Sequence, residues 1–319
     1  MTITQHLQEL YGLPTFAFPD EEEKEALPEP GSVAWSLGVD AYGEGGKWVD
    51  LFARFLDTVD TTRVRALVVG AWEESYDTDS SHIVTALLDA RERLPELRAL
   101  FLGDLVMEEA EISWICQSDV TGLLTGFPAL EEFGVRGGQG LLLSPVRHER
   151  LRALTVETGG LALQVVQAIG TSELPALEHL DLWLGTTEYG AGAGPADLEP
   201  YLTCAGMPKL RHLALRNSEI QDAVAAAMAT APVVARLEVL DLSMGTLGDE
   251  GAQALLAGQS LTHLTALDLH HHYIGEELQQ RLREALEPAG VRLDLDSGDA
   301  EPDEDDEDGT SYRYVEISE

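Results

Sequence analysis

The chain has 319 residues, 44% of them hydrophobic, which is ample for an extended core. Its net charge of −37, from 57 acidic against 20 basic side chains, repels nucleic acid and anionic lipid; it either favours a basic partner or simply maintains solubility. Cys116 and Cys204 are too isolated for a disulfide framework, and no apolar run reaches the ~20 residues of a membrane span.

Residues 1–32 read as a leader and cap. Pro14, Pro19, Pro28 and Pro30 interrupt regular structure, and 21–25 is a solvated acidic run. The start lacks the basic-then-apolar pattern of a secretory leader, so a cytoplasmic setting is expected. From residue 33 to 296 one pattern recurs: an apolar residue followed two positions later by another. Its first members are Leu37, Leu67, Leu100, Phe133, Leu154, Leu180, Leu213, Leu240, Leu267 and Leu293, spaced 21 to 33 residues apart. Residues two apart share one face of a strand. Between these strands, helical spacing appears at 47–59, 82–94, 162–168, 195–202, 219–230 and 276–286. Strand and returning helix, repeated at such a period, make a leucine-rich repeat. The expected fold is therefore α/β: a leucine-rich-repeat solenoid, or horseshoe, with a parallel sheet on the concave side and helices on the convex side.

The residues between and just after the paired leucines should face the concave side. They include Phe101, Arg136, Thr155, Glu157, His179, Asp181, Trp183, His212, Arg216, Asp241, Asp268, His270 and Asp294. Asp181, Asp241, Asp268 and Asp294 form a row interrupted at Ala214, either suited to lysines and arginines of a partner or simply solvated residues typical of the repeat. Trp183, placed one residue past its strand, makes the best contact patch with Arg136 and Arg216, because Trp and Arg dominate interface energetics; the other reading of Trp183 is a packed tryptophan. The expected partner-binding set is Trp183, Arg136, Arg216, Asp181, Asp241, Asp268, His270 and Glu157.

Chemistry is less in evidence. His270-His-His272 suggests a metal, but successive strand residues point to opposite sides, so no metal or other cofactor is expected. The glycine-rich run 185–194 lacks the lysine of a phosphate loop and reads as a flexible insertion. No hydrolase, zinc-protease or nucleotide motif is present, and the chain is expected not to be an enzyme. The tail, 297–319, is acidic and expected to be disordered. Within it, 312–317 alternates like a strand and is expected to fray rather than pair.

Leu240-Asp-Leu-Ser243 and Leu247-Gly-Asp-Glu-Gly-Ala252 resemble ribonuclease-inhibitor-type leucine-rich repeats. The usual turn asparagine is replaced by Ser218, Gly245 and His272. The whole chain is also similar to a bacterial leucine-rich-repeat family of unassigned function, on 111–119, 210–220 and 267–273. That resemblance implies genes for radical-SAM-like and ATP-grasp-like enzymes nearby. Two roles follow: a protein-binding scaffold acting through its concave face, or an accessory that offers its acidic tail to such a modification system.

Overall fold

A computed structural model describes residues 3–20, 26–42, 46–304 and 311–319. The acidic runs at 21–25 and 305–308 lie outside the described residues. The chain forms two compact units. The first comprises Thr2–Glu157 and Ser172–Ala176, the second Thr158–Thr171 and Leu177–Ser318.

Among the described residues, seven strands of the first unit follow chain order: β1 (Glu9–Leu10), β2 (Leu13–Ala17), β3 (Ala34–Leu37), β4 (Ala66–Val69), β5 (Ala99–Leu102), β6 (Glu132–Arg136) and β7 (Ala153–Glu157). β1 and β2 form an antiparallel hairpin, turned by Tyr11 and Gly12 in left-handed conformation. Every later pairing is parallel. Helices α1 (Trp48–Thr58), α2 (Ser81–Asp89) and α3 (Thr121–Gly126) cover one face. Their inward residues, such as Trp48, Phe52 and Phe55 of α1 and Ile83 and Leu87 of α2, pack there with the leucines. α2 stops at Asp89, short of the expected 82–94. A 3₁₀ turn, Arg91–Arg93, follows, and Pro95 disfavours helix at Leu94.

The register corrects the repeat at its first member. Trp35, not Leu37, aligns with Leu67, and Leu37 aligns with Val69. Phe16 aligns with Trp35 in turn, so the presumed leader supplies a further coil. The aromatic residues at that position hid the pattern. From Leu67 to Leu154 the expected alignment holds.

In the second unit, α4 (Leu163–Thr171) precedes β8 (His179–Gly185), α5 (Glu199–Thr203), β9 (His212–Ser218), α6 (Gln221–Met228), β10 (Val239–Asp241), α7 (Asp249–Ala257), β11 (Ala266–Asp268), α8 (Glu276–Leu286) and β12 (Arg292–Asp294). These five strands are parallel, with Leu180, Leu213, Leu240, Leu267 and Leu293 in one row, as expected. The first four are fully buried against the helices. Full burial of one such leucine contributes about 1.5–3 kcal/mol. A short hairpin, β13 (Asp303–Glu304) with β14 (Ser311–Tyr312), follows.

Gly185 bridges Gly160, and a Cβ on either would strike opposing backbone. The 185–194 stretch is thus pinned close to 159–160 rather than loosely inserted.

Candidate functional site

One residue after each row leucine, the side chain points to the face away from the helices. In the second unit this column reads Asp181, Ala214, Asp241, Asp268 and Asp294, all in register. The acidic row foreseen in the sequence therefore exists, and its gap at Ala214 is filled. Arg216, two residues on, donates from Nε and Nη2 to Asp181 at 2.9 and 2.6 Å, and its Nη1 lies 3.6 Å from Asp241. The small Ala214 side chain leaves the guanidinium room to span both neighbours. Asp181 and Asp241 are only 6% exposed. Burial pushes the Asp241 carboxyl up, and Arg216 and the Ser243 hydroxyl counter it.

Trp183 is not the exposed anchor that the sequence suggested. β8 runs on to Gly185, so Trp183 lies within the strand, 6% exposed, with the Arg216 guanidinium 5.3 Å from its ring centroid. The expected grip becomes a support that stacks under Arg216.

Towards the last strands the row opens. Asp294 is exposed, and Asp268 and His270 are half-buried. His270 donates from Nδ1 to Asp268 at 2.7 Å, and its Nε2 lies 3.3 Å from Glu316. Those two hydrogen-bonded carboxylates raise its pKa to about 10, so it is an imidazolium at neutral pH. Burial alone would raise Asp268, but the bonds from His270 outweigh it and hold that carboxyl below its usual range. Of the expected set, Trp183, Arg216, Asp181, Asp241, Asp268 and His270 are thus gathered on one face of the second unit.

Arg136 and Glu157 belong to the first unit. Arg136 is 4% exposed and donates to Glu157 at 2.7 Å, to Asp104 at 3.1 Å and to the Leu105 carbonyl. Such a buried cation is committed to its own fold, which corrects the expectation that it grips a partner. The surrounding face is covered as well. Ala34, Ala66, Val68, Ala99 and Phe101 form an apolar cluster, and Leu7, Leu10, Tyr11 and Leu13 pack on it. Asp104 fixes this N-terminal strap by accepting from the Leu7 amide with both oxygens, at 3.1 and 3.2 Å.

His179 and His212 open β8 and β9 with ring centroids 4.0 Å apart. Burial, and then the neighbouring His179, push His212 down to about 4; burial also lowers His179. The pair is neutral at pH 7. His270, His271 and His272 diverge. His271 donates to the Tyr314 carbonyl at 3.0 Å, and His272 is buried between the Ile274 amide and the Leu295 carbonyl. Cys116 and Cys204 are buried free thiols raised by burial, Cys204 to about 11.

Sequence reasoning missed Asn217. It sits four residues past Leu213, wholly buried, with φ of +52°. Its amide group binds both backbone groups of Ile317, which therefore does not fray. The available signal was an asparagine beside the turn, a type that tolerates left-handed backbone.

Residues 237–256 match the family described as Leucine Rich repeat. Among solved structures, a protein from Bacteroides fragilis is 27% identical, with a TM-score of 0.74; the alignment covers 86% of this chain and 74% of that one. An internalin from Listeria monocytogenes is 16% identical with a TM-score of 0.39, covering 75% of this chain and 56% of that one. No curated protein matches the sequence. Among the described residues, no helix is long and apolar enough to cross a membrane. Repeat, register and structural likeness together show an α/β leucine-rich-repeat solenoid, similar over most of its length to a bacterial protein.

Proposed function

We propose that the chain is a non-catalytic interaction scaffold that binds a protein partner with a basic patch on the open face of its second unit. The observation that carries this reading is the in-register run Asp241, Asp268 and Asp294, whose exposure grows toward β12. A rigid sheet holds these carboxylates at strand spacing, about 4.8 Å apart, so a complementary row of cations meets them without reordering them. On this reading Asp268, His270 and Asp294 touch the partner. Asp181, Asp241, Arg216 and Trp183 form the stiff bed beneath. Two unlinked thiols favour a reducing cytoplasm as the place of action.

Charge reversal at the exposed Asp294 tests the reading. Quantitative pull-down with Asp294→Lys should lose partners that the wild type retains, and added salt should release those partners from the wild type. Equal capture by both proteins at all salt concentrations refutes this face. The alternative, a tail handed to a modification enzyme, has less support, because Val315 and Ile317 are buried against the chain itself.

A further inference from the structure

Three turns of the second unit share an uncommon backbone. Asn217, Met244 and His271, each four residues past its row leucine, have φ of +52°, +64° and +51°. None is glycine, so each carries a side chain into a region that L-residues seldom occupy. Their amides are already bonded to the neighbouring coil: Asn217 to the Ser243 carbonyl, Met244 to that of His270 and His271 to that of Asp296. Each therefore turns a different group outward, and together these form a comb along successive strand ends.

The segment Arg313–Ile317 lies on that comb. Asn217 donates to the Ile317 carbonyl at 2.6 Å and accepts its amide at 3.1 Å. The Met244 carbonyl accepts the Glu316 amide at 2.8 Å. His271 and the Tyr273 hydroxyl both reach the Tyr314 carbonyl at 3.0 Å, and that hydroxyl also lies 3.0 Å from the Tyr314 amide. These contacts address main-chain atoms, so they read extension rather than sequence. Side chains add a filter. Val315 and Ile317 are buried, Glu316 meets His270, and Arg313 reaches Asp222 and the Thr246 carbonyl beside the Tyr273 ring. Gly248 leaves the space that the Arg313 guanidinium occupies.

We propose that the Asn217–Met244–His271 comb is a peptide-binding slot for an extended segment of a partner protein, patterned arginine, any residue, aliphatic, acidic, aliphatic, and that the C-terminal Arg313–Ile317 is its resident competitor. Main-chain recognition of an extended segment is how exposed strands are captured elsewhere, and it does not require the tail's own sequence. The tether raises the local concentration of the tail, so a partner segment must compete with an intramolecular ligand. The slot meets the acidic row at His270, which pairs with both Glu316 and Asp268, but its test reads peptide binding at Asn217 and not partner capture by the row.

The test uses the full chain with its tail disabled by Glu316→Arg and Ile317→Asp, and a fluorescent peptide of residues 311–319. Polarisation should show the peptide binding this variant at least about tenfold more tightly than the wild type, whose slot is filled. Adding Asn217→Ala to the variant should weaken the peptide about tenfold or more, as expected for two lost hydrogen bonds. Equal binding to wild type and variant, or indifference to Asn217→Ala, overturns the proposal. A wild-type dimer that disappears on disabling the tail also overturns it, since the occupant is then a second copy. Should the variant fail to fold, hydrogen exchange on the wild type decides. Excess unlabelled peptide should expose the Ile317 amide and leave the β10 and β11 amides protected; an Ile317 amide that stays protected contradicts the slot.

Discussion

Phe101 in the first unit and Arg216 in the second both depend on a small residue nearby, and the contrast separates a sealed face from an open one. Gly134 leaves space for the Phe101 ring, which a Cβ would strike. Ala214 leaves space for Arg216 to span two aspartates. The column that carries Val68 and Phe101 in one unit carries Asp181, Asp241, Asp268 and Asp294 in the other. The apolar version is covered by the N-terminal hairpin, as burial of apolar area demands. The acidic version stays wet toward β12. The same backbone lattice thus serves as core in one unit and as surface in the other, and one residue per coil decides which.

The contrast predicts unequal costs for matched substitutions. Arg136→Ala should be the most damaging, because Asp104 and Glu157 lose the guanidinium they share in a covered site; denaturant unfolding should show a loss of about 3–5 kcal/mol. Arg216→Ala removes the same charge from a wetter place, where its carboxylates regain water, and a loss of about 1.5–3 kcal/mol is expected. Equal losses for the two variants would erase the distinction between the faces.

Smaller effects appear with pH. His179 and His212 have lowered pKa values, His212 to about 4, so below about 6.5 the unfolded chain binds more protons than the folded one. Stability from this pair is complete above 6.5 and falls away as pH drops toward 4. A His212→Gln variant should flatten that slope in thermal melts. His270 behaves oppositely. Its pKa is raised to about 10 by Asp268 and Glu316, so its contribution is complete below 6.5 and is lost as pH rises toward 10. The charged and titratable groups around it are Asp268, Glu316 and His271. The Glu316 amide should accordingly lose protection above pH 9, and His270→Gln should remove the pH dependence. Smallest of all, Asp294→Lys should alter stability by no more than about 0.5 kcal/mol, since the site is exposed.

Much of this was legible in the sequence, for physical reasons. Row leucines from Leu67 to Leu293 are fixed by burial, and burial leaves a period. Trp35 and Phe16 occupy the same row but break the leucine pattern, so the first coils were misread. The aspartate row was visible because alternation within a strand is local. Its neutralisation by Arg216 was not, because Asp181 and Asp241 lie on two other coils. Trp183 was misjudged by the length of its strand, which outruns the leucine pair. The C-terminal contact with Asn217 spans 100 residues, and the left-handed turn it rests on recurs in successive coils as Asn217, Met244 and His271, three unlike residues that give no sequence pattern.

Residue-resolved cross-linking of a captured partner tests the scaffold reading most directly. Zero-length coupling of partner lysines to carboxylates should place the links at Asp268 and Asp294. Links concentrated instead on the helix-side acids Glu250, Glu276 and Glu284 would contradict it.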